Sequence, residues 1–182
     1  MGWYLCYFLH RHLDFRRPEF QALADLAGVG GEVKWRKPYG DVEHSPFWYV
    51  WLPSDEKAVE ILSRSLLVKA LVELWGEGST QEDLNAAIKA FPEERKAPFT
   101  AEGTTFKVVI QDFGKTEKGT KEDNWGQVVA RIDALTPAIT FKGRARMKEP
   151  QHLFWSIESA DATDLKGIPQ DIPRRHYFGR VV

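Results

Sequence analysis

Apolar and polar residues change period several times along the chain, and each change marks an element. Trp3–Leu9 is a continuous aromatic-rich run that predicts a strand. After Phe15-Arg16-Arg17, Pro18 near a first turn opens a helix to about Ala27, with Phe20, Leu23 and Leu26 at helical spacing. Gly28, Gly30 and Gly31 end it, and Val33–Arg36 predicts a short strand before the turn at Pro38-Tyr39-Gly40. Pro46–Leu52 predicts a second aromatic strand. Ser54 then caps a helix whose first turn carries Asp55 and Glu56, on the side the helix dipole favours, with Ala58, Ile61 and Leu62 inward. Leu66–Trp75 completes the series as a strand, although Leu66–Leu74 could instead extend the helix. Strand, helix, strand, strand, helix, strand is the order of a ferredoxin-like split βαβ unit.

Gly76-Glu77-Gly78 interrupts this pattern and is the expected internal boundary, giving residues 1–75 and 76–182 as two domains of an α+β protein. Beyond it, Ser79 or Thr80 caps a helix through Leu84, Ala87, Ile88 and Phe91. Pro92–Gly103 reads as a charged connector, 104–111 as an alternating strand with Phe106, Val108 and Ile110 on one face, and Lys115–Asn124 as a polar loop. A helix over about 124–135 is expected to turn Trp125, Val128, Val129 and Ile132 inward. Strands are expected again at 152–157 and 177–182.

Between these lies Phe141–Lys148, where cations recur at every second position. In an extended strand, Lys142, Arg144, Arg146 and Lys148 form one positive row, while Phe141, Gly143, Ala145 and Met147 face a core. At about 3.3 Å per residue the row spans roughly 20 Å, enough to meet several backbone phosphates. Edge strands also carry Lys and Arg to block aggregation, so the pattern alone leaves both roles open.

Charge sharpens this picture. The whole chain carries a net charge of −1, which argues against generic polyanion coating. From residue 141 onward eight Lys or Arg face five Asp or Glu, so the final segment is locally basic. Arg174 and Arg175 precede His176, Tyr177, Phe178 and Arg180, a second basic cluster with aromatics able to stack on bases or simply to pack. Lys115, Lys118 and Lys121 supply a third group of candidate contacts.

Other chemistry is poorly supported. The single cysteine, Cys6, rules out an intrachain disulfide and sits in an apolar run, as a buried side chain does. Gly28-Val29-Gly30 follows a helix, the reverse of a dinucleotide fingerprint, and Gly76-Glu77-Gly78 lacks the lysine of a phosphate loop. His10, His12 and Asp14 make a weak metal pattern without a further ligand pair, and His44, His152 and His176 are scattered. No nucleophile elbow is present and no carboxylate pair stands out, so no catalytic residue, cofactor or metal is assigned. No apolar stretch reaches the length of a membrane span, and no signal-peptide pattern opens the chain. The expected compartment is cytosolic or nuclear, with the cytoplasm favoured.

Several segments together resemble one family. Ser63-Arg64-Ser65 leading into Glu73-Leu74-Trp75-Gly76, then Thr80–Leu84, Phe141-Lys142-Gly143 with Met147-Lys148-Glu149-Pro150, and Arg174-Arg175 with Tyr177-Phe178-Gly179-Arg180 resemble the N-terminal half of the eukaryotic-type tRNA guanosine-10 N2-methyltransferases. The resemblance implies a ferredoxin-like domain followed by a THUMP domain that docks the tRNA acceptor end. It implies that S-adenosylmethionine belongs to a Rossmann-type catalytic domain further on. None of the ten prolines adjoins another, so the Pro-Pro-aromatic motif of that domain is not in this sequence. The chain is thus expected to be the substrate-recognition half, monomeric and without activity or cofactor of its own, as a fragment or as a protein that has lost its catalytic part. The family's zinc-ribbon activator protein is expected to grip the catalytic domain. The competing expectation is a noncatalytic protein-interaction or regulatory module built on the ferredoxin-like domain, with Trp48-Tyr49-Val50-Trp51 as an exposed interface.

Overall fold

A computed structural model describes residues 2–113, 121–159 and 172–182, with backbone only for 121–124. The chain divides into two compact units, with the change between Leu74 and Trp75; Ile172 and Val181–Val182 belong to the first unit and Pro173–Arg180 to the second.

The first unit follows the order read from the sequence: β1 (Gly2–Phe8), α1 (Arg16–Leu26), β2 (Lys34–Arg36), β3 (Phe47–Leu52), α2 (Asp55–Leu62) and the first part of β4 (Val68–Gly78). Its strands lie β2-β3-β1-β4, every pair antiparallel. Alternation along the strands sends Tyr4, Cys6, Phe8, Trp48, Val50 and Leu52 into a core with Phe20, Ala24, Ala58 and Ile61 of the two helices. Ser54 caps α2 through the backbone amide of Lys57, as its position before Asp55-Glu56 predicts. The inner face of α1 runs through Phe20, Leu23, Ala24 and Ala27, a stripe that leaves Leu26 exposed, contrary to expectation. The aromatic run of β3 is also not an exposed surface. Trp48 and Val50 are buried and Tyr49 and Trp51 are half-buried, because β3 lies between β2 and β1.

The second unit contains α3 (Gln81–Ala90), α4 (Glu93–Thr100), β5 (Thr105–Phe113), α5 (Lys121–Asp133), β6 (Arg144–Ala145), β7 (His152–Ser159) and β8 (Arg175–Val181). Strand neighbours run from the end of β4 through β8, β7 and β5 to β6 at the edge. The β5 strand pairs in parallel with both β6 and β7, so α+β with a mixed sheet describes the chain. Trp75 centres the core, with the rings of Phe154, Phe91 and Phe178 at 5.0, 5.8 and 6.2 Å.

Three expectations change here. Gly76 and Gly78 do not break the chain; they lie inside β4, where a Cβ on either would strike α3. The supposed connector after Pro92 contains α4. Its buried Lys96 donates to the carbonyl oxygen of Ile88 at 3.0 Å and pairs with Glu93 at 3.2 Å, so a charged residue occupies an inner position that hydrophobic periodicity does not reveal. In α5, Trp125 is 63% exposed and Val129 is exposed too, while Val128 and Ile132 are half-buried and Leu135 beyond the helix is buried. Capping of α3 by Thr80 is as expected, completed by a reciprocal bond from Asp83.

Candidate nucleic-acid interface

The basic segment runs along the open side of β5. The backbone amides of Lys142, Arg144 and Arg146 donate to the carbonyls of Thr100, Thr104 and Phe106 at 2.8, 2.9 and 2.8 Å. Every second amide thus points to one edge, which fixes these three side chains on one face. Gly143 permits the approach, since a Cβ there would lie 2.4 Å from Thr104 Oγ1 and 2.5 Å from its carbonyl oxygen. Phe141 anchors the segment by stacking on Phe106 with ring centres 4.2 Å apart.

Regular strand structure is shorter than the sequence suggests. Only Arg144–Ala145 forms β6, and the chain bends through Met147–Glu149, where Glu149 adopts a left-handed conformation with φ 48°. Lys148 therefore sits on the bend, outside the three-residue ladder. The expected apolar face is also only half realised: Phe141 packs, but Ala145 and Met147 are exposed at the β6 edge of the described sheet.

Lys142, Arg144, Arg146 and Lys148 are all exposed, and none forms an ion pair or side-chain hydrogen bond among the described residues. Four like charges left without carboxylates form a surface that attracts an anion. Lys142 also lines a cleft of about 480 Å³ with Lys96, Thr100, Thr136 and Thr140, rimmed by Glu93 and Glu102.

The second basic cluster is arranged differently. Arg174 donates to Glu158 at 2.9 and 2.5 Å, and Arg131 reaches the same carboxylate at 3.8 Å while pairing with Asp112. Arg175 is largely buried and pairs with Glu77 at 3.1 Å. Tyr177 and Phe178 belong to the interior, which removes them as base-stacking groups, and the Arg180 guanidinium lies 4.2 Å from the Phe99 ring centre. His176 beside this network is held below its ordinary pKa, by burial first and by Arg174 and Arg131 against the opposing Glu158. Lys115, Lys118 and the Lys121 side chain lie outside the described residues.

No group of His, Cys, Asp and Glu among the described residues is arranged to hold a metal ion. Burial drives the Cys6 thiol well above its ordinary pKa, so the thiolate that reaction would need is suppressed. No helix among them is long and apolar enough to cross a membrane.

An α+β mixed sheet with a row of exposed cations, unpaired among the described residues, along one edge defines the class of surface. The sequence then assigns the family. Residues 3–182 match the Tmrp11 THUMP N-terminal domain, and the chain belongs to that family. It is similar to the tRNA (guanine(10)-N(2))-methyltransferase TRMT11 of Mus musculus, 36% identical over 97% of this chain and 36% of the mouse protein. The tRNA (guanine(10)-N(2))-methyltransferase of Saccharomyces cerevisiae is 30% identical over 98% of this chain and 38% of its own length. The chain thus spans little more than a third of the length of these relatives. Among solved structures, TrmN from Thermus thermophilus aligns over 100% of this chain and 46% of its own, with a TM-score of 0.44 at 14% identity. PH1313 from Pyrococcus horikoshii aligns over 99% and 54%, with a TM-score of 0.48 at 12% identity.

Proposed function

We propose that this chain is the tRNA-binding, substrate-recognition part of a tRNA guanine N2-methyltransferase. In this reading residues 1–75 are a ferredoxin-like domain and residues 76–182 a THUMP domain. They dock the acceptor end of tRNA and present the guanosine to an S-adenosylmethionine-dependent domain outside these 182 residues. Cofactor and zinc-ribbon activator both belong to that domain, and the working compartment is the cytoplasm.

The observation that carries the reading is the exposed, carboxylate-free row Lys142, Arg144, Arg146 and Lys148 in a chain of this family. Such a row reads phosphate positions and therefore the shape of an RNA, with little base preference. Of the aromatic run proposed for the interaction-module alternative, Trp48 is buried and Tyr49 and Trp51 are half-buried, so the run is not one continuous exposed patch.

The test is a fluorescence-anisotropy titration of tRNA at several salt concentrations, comparing the parent with the quadruple Ala variant. The slope of log affinity against log salt should shallow by about 0.7–0.9 for each phosphate contact removed. A folded variant with unchanged affinity and slope would reduce the row to protection of a sheet edge.

A further inference from the structure

The face of the first unit turned away from α1 and α2 carries a second arrangement that the cationic row does not include. Tyr4 and Val50 point into the helix-covered core, so their strand neighbours Trp3 and Trp51 occupy the opposite face. The two tryptophans are register partners on adjacent strands, and both are only half-buried. Trp35 of β2 packs toward the helices, its ring centre 5.0 Å from that of Phe20, which puts Lys34 and Arg36 on the same outer face as Trp3 and Trp51. The Arg36 guanidinium lies 4.0 Å from the Trp3 ring centre and the Lys34 ammonium 5.5 Å from that of Trp51. Both cations are exposed on an edge strand, and neither has a carboxylate partner among the described residues.

We infer that Trp3, Trp51, Arg36 and Lys34 form a stacking platform for unpaired nucleotides of an RNA ligand. Bases stack on aromatic rings or on guanidinium planes, and neighbouring cations meet the phosphates between them. The Arg36 guanidinium held over Trp3 offers its own outer plane to a base, and the exposed Lys34 ammonium beside Trp51 is free to meet a phosphate. Paired bases in an A-form helix do not offer their faces, so the platform selects single-stranded segments where the β6 row takes backbone of either kind. The Trp3–Arg36 stack and the neighbouring Trp51 give two adjacent stacking positions. The two surfaces then divide the work: one follows phosphates, the other selects unpaired nucleotides.

This inference rests on the RNA-binding reading, and the experiment separates the two. A fluorescein-labelled single-stranded octaribonucleotide and a blunt duplex of the same sequence are titrated with the parent chain and with the Trp3→Leu, Trp51→Leu and Arg36→Gln variants. Each Trp variant is expected to weaken octamer binding roughly five- to 150-fold, the range measured for one base–aromatic stack, and to leave duplex binding unchanged. Inorganic polyphosphate, which has charge without bases, should bind parent and Trp variants alike. Octamer affinity unchanged in folded Trp variants overturns the platform, and if the quadruple row variant still loses RNA the broader reading stands. A parent that binds neither RNA overturns both. Should the Trp variants fail to fold, the exposed Arg36→Gln variant decides: a severalfold loss confined to the octamer supports the platform, and no loss refutes it.

Discussion

A Cβ on Gly76 would stand 2.6 Å from Cγ1 of Ile88 and 2.9 Å from its backbone nitrogen. The absence of a side chain at this point of β4 is what lets α3 lie directly against the strand. Gly76→Ala should therefore push the helix away and cost about 1–3 kcal/mol, the usual range for overpacking. Urea unfolding measures it. A value within error of the parent would mean that α3 yields freely.

Much of the first unit was legible in the sequence because its patterns are local. Ser54 before two acids, the aromatic strands and the spacing of Phe20 and Leu23 in α1 each carry their own signal within a few residues, although the same spacing wrongly includes Leu26 in that stripe. The errors share a different cause. Gly76 and Gly78 look like a break until the helix against them is known, and Lys96 looks like a connector residue until the Ile88 carbonyl it binds is known. Of the candidate site, the alternation of Lys142, Arg144 and Arg146 was readable, since period two is intrinsic to an extended chain. The bend at Lys148 and the carboxylates facing Arg174 and Arg175 were not, because those partners lie 16 and 98 residues away. The pair Trp3 and Trp51 was hidden for the same reason: strand register brings them together.

Glu19 of α1 braces the loop before β4. Its carboxylate accepts from Ser65 Oγ at 2.7 Å and from the backbone amides of Leu66 and Leu67 at 2.8 and 3.1 Å. Leu66 is exposed, so water can replace part of what is lost. Glu19→Ala should cost about 1–2 kcal/mol, toward the low end for charge-assisted bonds, and should speed amide exchange at residues 66 and 67. Exchange rates equal to the parent's would show that the loop holds without the brace.

Two histidines make stability fall on mild acidification. Burial lowers the pKa of His152, with Arg180 adding to it, and burial chiefly lowers that of His176. Each is harder to protonate folded than unfolded, so the unfolded state binds more protons once pH drops through the ordinary value of about 6.5. Stability should be fully present above that pH, decline as pH falls through it, and level off only below the depressed folded values. Urea midpoints should follow this curve, and His152→Gln and His176→Gln should flatten it. A midpoint independent of pH across that window would contradict the account.

Cys6 is fully buried in β1, and its thiol is held protonated by desolvation. The folded chain should resist a thiol-reactive chromogenic disulfide until urea opens the first unit, and then react with one equivalent. Rapid reaction of the native chain would mean that β1 opens far more often than its burial suggests.

Arg174 and Arg175 should behave differently from the β6 row, although both clusters are basic. Arg175 is largely buried against Glu77, and Arg174 shares Glu158 with Arg131. An arginine already paired to a carboxylate releases fewer counterions from RNA than a free one, because binding must first break or share that pair. Arg175→Ala should therefore act mainly on stability: it leaves the part-buried Glu77 carboxylate without this partner, a loss of about 1–3 kcal/mol. Its effect on the tRNA salt slope should be smaller than that of any single Ala substitution at Lys142, Arg144 or Arg146. Arg174 is more exposed, so Arg174→Ala should weaken tRNA binding slightly with little change in the urea midpoint. Anisotropy titrations at several salt concentrations, run beside urea unfolding of the same variants, separate the two roles. A salt slope reduced by Arg175→Ala as much as by Arg144→Ala would place the Glu77 pair inside the RNA contact surface.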